Sequence, residues 1–466
     1  MSFSKNIKNI NNMISKNNSS FDHIIVGAGP AGLFAAYELI NKKPKSKICI
    51  IEKGNLIQNR KPEETMSGVG GTGAYSDGKI HITPVLSHEK LFHLYNSQQL
   101  EELLNEVDEI FSFFGVDAPY TPENYNDAIP LLEECRQKEI HLVVRKTRHI
   151  GSDLLPKIIQ NFQNHLIKNN VKIYSKTEVK DLIIDNKKKC TGVVLSDNKK
   201  IKAKKIFLAP GREGAKWLQD LCTSYEIPYH HDKVEIGVRV EFPAILMKRF
   251  IEVMYESIFM IRSNTFDDIV RTFCPCPNGY VTVEKYKDFI SVNGHSNSDN
   301  GALNSNFALV SEVNLTEPTE NTISYALSIA KLATTLGGGK PIVQRLIDLK
   351  NGRRSNWERI NKGFVNPSLT DVTPGDISMA LPYRIVVNLK EALETLDRVM
   401  PGINSGSTLL YAPEIKLRSS KIFTNRHLET NIKNLYVGGD ASGLSGSITG
   451  AAVTGLISAR NMALKK

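Results

Sequence analysis

Several things are scarce or missing in this chain, and each narrows what it can be. No apolar run approaches the roughly 18 to 20 residues that a bilayer-spanning helix requires, so any membrane contact is expected to be peripheral. Cysteine is sparse, six in 466 residues, and only Cys274 and Cys276 lie close together. That is no disulfide scaffold, and with no secretory leader visible it points to reduced thiols in a cytoplasmic compartment. The first twenty residues, Met1 to Ser20, contain no acid and no arginine. They are expected to form a disordered tail in 1–20, with an organelle transit peptide as the alternative raised by the spacing of Ile7, Ile10 and Ile14.

Acidic residues are outnumbered, giving a net charge of +10, which raises nucleic acid or an anionic surface as a partner. The densest lysine run argues against it. Lys187, Lys188, Lys189, Lys199, Lys200, Lys202, Lys204 and Lys205 flank the strand expected from Thr191 to Leu195, where a hairpin leaves them solvated. No aromatic residues interleave with them to stack on bases, so nucleic acid is not the expected partner.

What is present is a dinucleotide-binding βαβ unit. His23-Ile-Ile-Val-Gly-Ala-Gly-Pro-Ala-Gly-Leu33 gives a strand, a glycine turn and the start of a helix, and Ile48-Cys-Ile-Ile-Glu52 gives a second strand with an acidic end. Gly27 lets the chain turn off the strand, Gly29 carries no Cβ to block a pyrophosphate, and Gly32 lets helix and sheet approach. The phosphates are expected at the helix N-terminus, where free N–H groups and the helix dipole favour an anion. Pro30 and Ala31 lie in that turn, and Glu52, followed by Lys53, has the spacing of an acid that binds ribose hydroxyls.

Two further strand endings extend the pattern. Lys205-Ile-Phe-Leu-Ala-Pro-Gly211 returns a strand to the first sheet, bringing Ala209 and Gly211 to the nucleotide. Asn434-Leu-Tyr-Val-Gly-Gly-Asp440 is another strand ending in glycines and an acid, and the small residues from Ser445 to Ala459 suit a helix packed closely on a sheet. Between these landmarks, a helix is expected from Gly151 onward with Ser152 or Asp153 as its cap. Leu100, Leu103, Leu104, Val107, Ile110, Phe111 and Phe114 form the stripe of an inserted helical lobe.

In this order the three glycine-bearing segments resemble the glutathione-reductase-like FAD superfamily, over nearly the whole chain from Phe21. A narrower resemblance rests on Met66-Ser-Gly-Val-Gly-Gly-Thr-Gly-Ala-Tyr-Ser-Asp-Gly-Lys-Ile80, Gly237-Val-Arg-Val-Glu-Phe-Pro243, Arg271-Thr-Phe-Cys-Pro-Cys-Pro277, Val292-Asn-Gly-His295 and Tyr411-Ala-Pro-Glu414. These segments look like the FAD-dependent dehydrogenase, or NAD(P)/FAD-dependent oxidoreductase, family. The resemblance implies an α/β fold with a discontinuous Rossmann-like FAD-binding domain in 21–84, 149–221 and 401–466. It also implies a helical insertion in 85–148 and an α+β substrate domain in 222–400. It assigns the ribityl chain to Gly439 and Asp440, adenine to the backbone around Val179, and the isoalloxazine to the helix start at Gly446, Ser447 and Ile448.

Gly70, Gly71 and Gly73 make a loop whose successive N–H groups can form an anion-binding concavity, placing Ser67, Gly70 and Gly71 among the expected FAD contacts. Ser76, Asp77 and Lys79 beside it, with Arg239 and His295 in the substrate domain, are the candidates for acid–base or substrate-orienting roles. Cys274 and Cys276 read first as pocket lining, with a redox dithiol and a soft-metal site as alternatives; no second pair completes a zinc site, and no metal is expected. After Gly211 no further strand-linked glycine fingerprint appears, and Gly337-Gly-Gly-Lys-Pro341 lacks the P-loop spacing. NAD(P)H is therefore expected only as a transient electron donor.

The function expected is hydride transfer between a small organic substrate and flavin N5, with a separate electron acceptor as a further partner. Two other readings stand beside it. One is a reductase of unsaturated polyprenyl or enone substrates, and the other a non-catalytic FAD-binding redox sensor or RNA-modification subunit.

Overall fold

A computed structural model describes residues 20–464 apart from 62–63, 85–90, 287, 297–300, 316–320 and 417–419. The tail expected in 1–20 lies, except for Ser20, outside the described residues.

The first sheet has seven strands. Lys172–Tyr174, Ile48–Ile51, Ser20–Val26, Lys200–Leu208, Cys190–Leu195 and Val179–Ile184 follow one another across it, and Leu435–Val437 also pairs with Lys200–Leu208. The four strands that carry the glycine-bearing ends and the acid run parallel to one another, which sends their carboxyl ends to one edge. Ile48–Ile51 and Leu435–Val437 are buried throughout, as expected of parallel strands covered on both faces. Lys200–Leu208 begins as half of an antiparallel hairpin with Cys190–Leu195. Most of its lysines stay exposed, but Lys205 is buried with its ammonium on the Met462 carbonyl.

Helix Pro30–Lys42 starts with proline in its first turn, where the missing N–H costs no intrahelical bond. The last helix, Ile448–Leu464, lies against it so closely that a Cβ on Gly455 would meet the Ala31 carbonyl oxygen at 2.2 Å. That approach explains the run of Gly, Ala, Ser and Thr in a helix that is buried on almost every side.

The stripe from Leu100 to Phe111 does form a helix, Ser97–Phe113, and those apolar residues are buried. It is not a separate lobe. Phe111 packs on Phe34 with centroids 5.0 Å apart, and Phe114 stacks on Phe162 at 4.1 Å, so the helix completes the first core. Strand His141–Val144, in contrast, leaves this core and forms an edge of the second sheet. The helix expected from Gly151 begins at Leu155, with Pro156 in its first turn and no side-chain cap, so neither Ser152 nor Asp153 caps it.

The second sheet has eight strands, in the order Thr373–Pro374, Ile342–Arg345, Leu409–Lys416, Val234–Pro243, Asn304–Val313, Ile269–Cys276, Ser257–Arg262 and His141–Val144. All its neighbours are antiparallel except Ile342–Arg345 with Thr373–Pro374. Leu409–Lys416 thus lies in this sheet, although the expected boundary at 401 put it in the FAD-binding part. The strand is buried on both faces, so its pattern alone does not say which sheet it joins.

Candidate functional site

One cleft begins at the carboxyl edge of the first sheet and continues to the second sheet. Its floor is the glycine turn. Gly27 has φ +98°, and a Cβ there would strike the Ala209 carbonyl oxygen at 2.1 Å, so only glycine fits where the two parallel strands end. A Cβ on Gly32 would strike the Gly27 oxygen at 2.0 Å, so this glycine serves helix packing and does not line the cleft. Gly29 differs: a Cβ there would have no neighbour nearer than the Gly71 Cα at 3.9 Å and would project into the cleft. The space a side chain would fill is the space a pyrophosphate needs, and the residues present fit a dinucleotide.

Glu52 lines the cleft, and its carboxylate also organises the surrounding loops. Oε2 accepts from the Ala28 N–H at 2.8 Å, while Oε1 accepts from Gly54 at 2.8 Å and Gly68 at 2.9 Å. A carboxylate has about four lone-pair sites, so these bonds leave capacity for a ribose hydroxyl. Lys53 lines the cleft and pairs with Glu213 at 2.9 Å.

The glycine loop that follows is held by Arg60, whose Nη1 donates to the carbonyls of Val69 at 2.9 Å and Gly71 at 2.8 Å. Ser67 and Gly71 line the cleft; Gly70 does not, and instead donates its N–H to the Ala28 carbonyl at 2.8 Å, fastening the loop to the first turn. Pro30, Ala31, Val179, Ala209, Gly211, Gly439, Asp440, Gly446, Ser447 and Ile448 all border the cleft. Ser447 caps the last helix, its hydroxyl accepting from the Gly450 N–H at 3.0 Å, which leaves the first N–H groups of that helix at the cleft.

At the far end the walls become charged. Lys79 is 2% exposed, with its ammonium 3.0 Å from Asp77 Oδ2, 2.8 Å from Glu256 Oε2 and bonded to the Pro275 carbonyl. Burial opposes its charge, but the two carboxylates outweigh burial and hold the ammonium well above its usual range. Asp77 is treated the same way: burial works to raise its carboxyl, and Lys79 followed by a hydrogen bond from Cys274 brings it far below the usual range. Because Asp77 and Lys79 follow the glycine loop, while Glu256 immediately precedes strand Ser257–Arg262 and Pro275 lies in Ile269–Cys276, this ion cluster ties the glycine loop to the second domain.

Ser76, Asp77 and Lys79 line the cleft, whereas Arg239 and His295 do not. The Ser76 hydroxyl donates to the Gly73 carbonyl at 3.0 Å and serves the turn. Arg239 is fully buried behind the wall, donating to Asn306 Oδ1 at 2.7 Å and the Cys274 carbonyl at 2.8 Å. His295 is held below its ordinary value by burial, which keeps the imidazole neutral.

Residue-by-residue reading missed the other charged groups at this end. Arg271 donates to Glu235 across the sheet at 2.8 Å, and His81 Nδ1 lies 3.0 Å from Thr147 Oγ1. Arg212 stands 3.9 Å from both Glu284 and Asp440, and its buried Nε makes no hydrogen bond. Its adjacency to Gly211 was the one sequence signal that pointed to it.

Residues 22–229 match the family model described as FAD binding domain, and residues 233–417 match that described as FAD-dependent protein, C-terminal domain-like. An uncharacterized protein of Clostridium beijerinckii is 25% identical over 476 residues, covering 93% of this chain and 79% of its own length. Among solved structures, Bacillus cereus glycine oxidase aligns over 95% of this chain and 94% of its own, at 16% identity and a TM-score of 0.39. The 3-ketosteroid-delta4-(5alpha)-dehydrogenase of Rhodococcus jostii aligns over 96% and 97%, at 12% identity and a TM-score of 0.42. No helix among the described residues is long and apolar enough to cross a membrane. The two matches adjoin at the passage from the first sheet to the second, an FAD binding domain followed by a region similar to the C-terminal domain of FAD-dependent proteins: this chain is an FAD-dependent oxidoreductase with FAD as its cofactor.

Proposed function

We propose that the protein transfers a hydride between a small organic substrate and N5 of FAD, at the end of the cleft between Ser447 and the second sheet. The observation that carries this reading is the continuity of one cleft from the Gly29 cradle to the charged cluster around Lys79 and Arg212. When bound, FAD supplies the chemistry by accepting or giving a hydride at its ring N5. The start of Ile448–Leu464 presents backbone N–H groups and the positive end of its dipole, which favours negative charge beside it.

Asp77 is too weak a base to take a proton at neutral pH, and Lys79 is too firmly cationic to release one; both hold the wall in place. Arg212 and Arg271 both line the cleft and each keeps a buried nitrogen without a hydrogen bond, which suits anchoring a carboxylate or a carbonyl oxygen. His81 supplies an imidazole at the same end of the cleft for moving a proton.

The test is the anaerobic visible spectrum of the purified protein before and after NADH and then NADPH. Bleaching by either nucleotide identifies a nicotinamide-driven enzyme and contradicts the substrate-dehydrogenase direction; an unbleached flavin supports that direction. Asp440→Ala is expected to weaken FAD binding about tenfold, or roughly 1.4 kcal/mol, with the fold intact, measured by flavin retention in an ultrafiltration titration. Unchanged affinity would remove Asp440 from the FAD contacts.

A further inference from the structure

We propose that Cys274 and Cys276 are a dithiol–disulfide couple that exchanges two electrons with FAD. In a regular strand residues i and i+2 have Cα atoms roughly 6.5 to 7 Å apart, too far for easy bridging. Here the strand is bulged. Phe273 lies opposite Ala308 and Cys276 opposite Asn306, three steps on one strand against two on the other. Cys274 takes φ +48°, a left-handed conformation that non-glycine residues rarely adopt and that collects at functional sites. The outcome is that both sulfurs and a carboxylate oxygen of Asp77 lie within 4.8 Å of one another.

The environment divides the two sulfurs into unlike roles. Cys274 donates its S–H to Asp77 Oδ2 at 2.8 Å, whereas the Cys276 sulfur accepts from Arg239 Nη2 at 3.1 Å. The bond with Cys276, then burial and Asp77, push the Cys274 thiol well above its ordinary value. Burial also works to raise Cys276, but its bond with Cys274 and the cations Arg239 and Lys79 bring it below. Cys276 is thus the more readily deprotonated of the two, and a thiolate beside a thiol is the reactive form of a dithiol. Cys274 also lines the same cleft as Gly73, Ser447 and Ile448, which gives the pair access to the FAD site.

Asp77, Cys274 and Cys276 are also a ligand set that a soft cation could use. Two cations already occupy those donors: Lys79 is 3.0 Å from the Asp77 oxygen and Arg239 is 3.1 Å from the Cys276 sulfur. A divalent ion would have to displace or repel both, which favours the dithiol. The short ring of a Cys-x-Cys disulfide is strained, and strain makes such a bond readily reducible, as an electron-relaying pair requires.

The step balances. The Cys276 thiolate and Cys274 thiol form one S–S bond as the Cys274 S–H breaks; the proton and two electrons pass to oxidised FAD, giving FADH−. The reverse step regenerates the dithiol from reduced flavin. The other four cysteines, Cys49, Cys135, Cys190 and Cys222, are buried, and burial raises each thiol, so they form a constant background.

The test uses the FAD-loaded full chain. Anaerobic dithionite titration of the diamide-oxidised, desalted protein is expected to consume about four electrons per FAD, and about two in Cys274→Ser and Cys276→Ser, for a two-electron disulfide plus a two-electron flavin. Thiol counting after denaturation should find six thiols in the reduced protein and four in the oxidised one, with the peptide from Thr272 to Lys285 lighter by two hydrogens. Mass and thiol counts on the unaltered chain decide the question even where a serine variant loses FAD. Six thiols in both states, or zinc co-purifying stoichiometrically and lost in Cys276→Ser, would overturn the proposal.

Discussion

Gly29→Val is expected to give a folded protein without FAD. Gly29 has φ −72°, which any residue adopts, and its Cβ would meet nothing closer than 3.9 Å, so the fold has no reason to resist. A valine would instead place three carbons where the pyrophosphate meets the helix N-terminus, removing close N–H contacts and displacing the anion from the dipole. A loss of at least about 100-fold in affinity, roughly 2.7 kcal/mol, is expected. It would be read as absorbance near the flavin band per chain, with far-ultraviolet circular dichroism and the elution volume unchanged. Stoichiometric flavin in the variant would relocate the cofactor. Gly27→Val is the informative contrast, because a Cβ there strikes backbone at 2.1 Å and should lower stability with or without FAD.

The second large effect is expected from Lys79→Met, which removes the cation that compensates two buried carboxylates. Glu256 would keep Arg145, 3.6 Å from its other oxygen, and the His81 ring at 3.9 Å, and Asp77 would keep its bond from Cys274. Leaving buried charge uncompensated typically costs about 3 to 5 kcal/mol, to be measured as the shift in urea midpoint at pH 7 at equal FAD saturation. The pH dependence has a definite sign. Asp77 is depressed in the folded wild type, so its contribution is fully present above the unfolded carboxyl value of about 4 and is lost as pH falls through the folded value. In the variant, protonation relieves the stranded carboxylates, so the gap between the two proteins should narrow as pH is lowered. A variant within about 1 kcal/mol of wild type at pH 7 would show that Lys79 does not join the two domains as described.

Much of the FAD half was legible in sequence because its signals are local. Three glycines at fixed offsets, a buried strand before them and an acid after the next strand specify one geometry, and Gly27, Gly29 and Glu52 are where that geometry requires them. The reach of the motif ended where a role depended on distant chain. Gly32 and Gly70 serve packing and loop attachment, a difference set by the Gly27 and Ala28 carbonyls that face them. Arg60 could not be recognised as the clasp of the glycine loop, since only the folded turn brings Val69 and Gly71 to its guanidinium. The helical stripe from Leu100 was visible, but periodicity identifies a buried face without saying which core receives it. The charged end of the cleft was the least readable part. Glu235 meets Arg271, and Asp77 meets Cys274, only through strand register and a bulge, and neither is encoded by spacing within one segment.

The position of strand Leu435–Val437 sets an order of events during synthesis. When residue 230 has left the ribosome, every other strand of the first sheet exists, including Lys200–Leu208, the partner it will join. At about 5 to 20 residues per second, the last strand and the helix start at Ile448 follow roughly 10 to 40 seconds later, after the second sheet has been made. Until then the nascent chain has the Gly29 cradle but neither Asp440 nor Ser447 beside it. With Asp440 and Ser447 as the proposed FAD contacts, durable flavin binding is expected only after residue 448 has been made, and a chain truncated ahead of residue 435 is expected to keep six of the seven strands of the first sheet and lose its hold on the flavin.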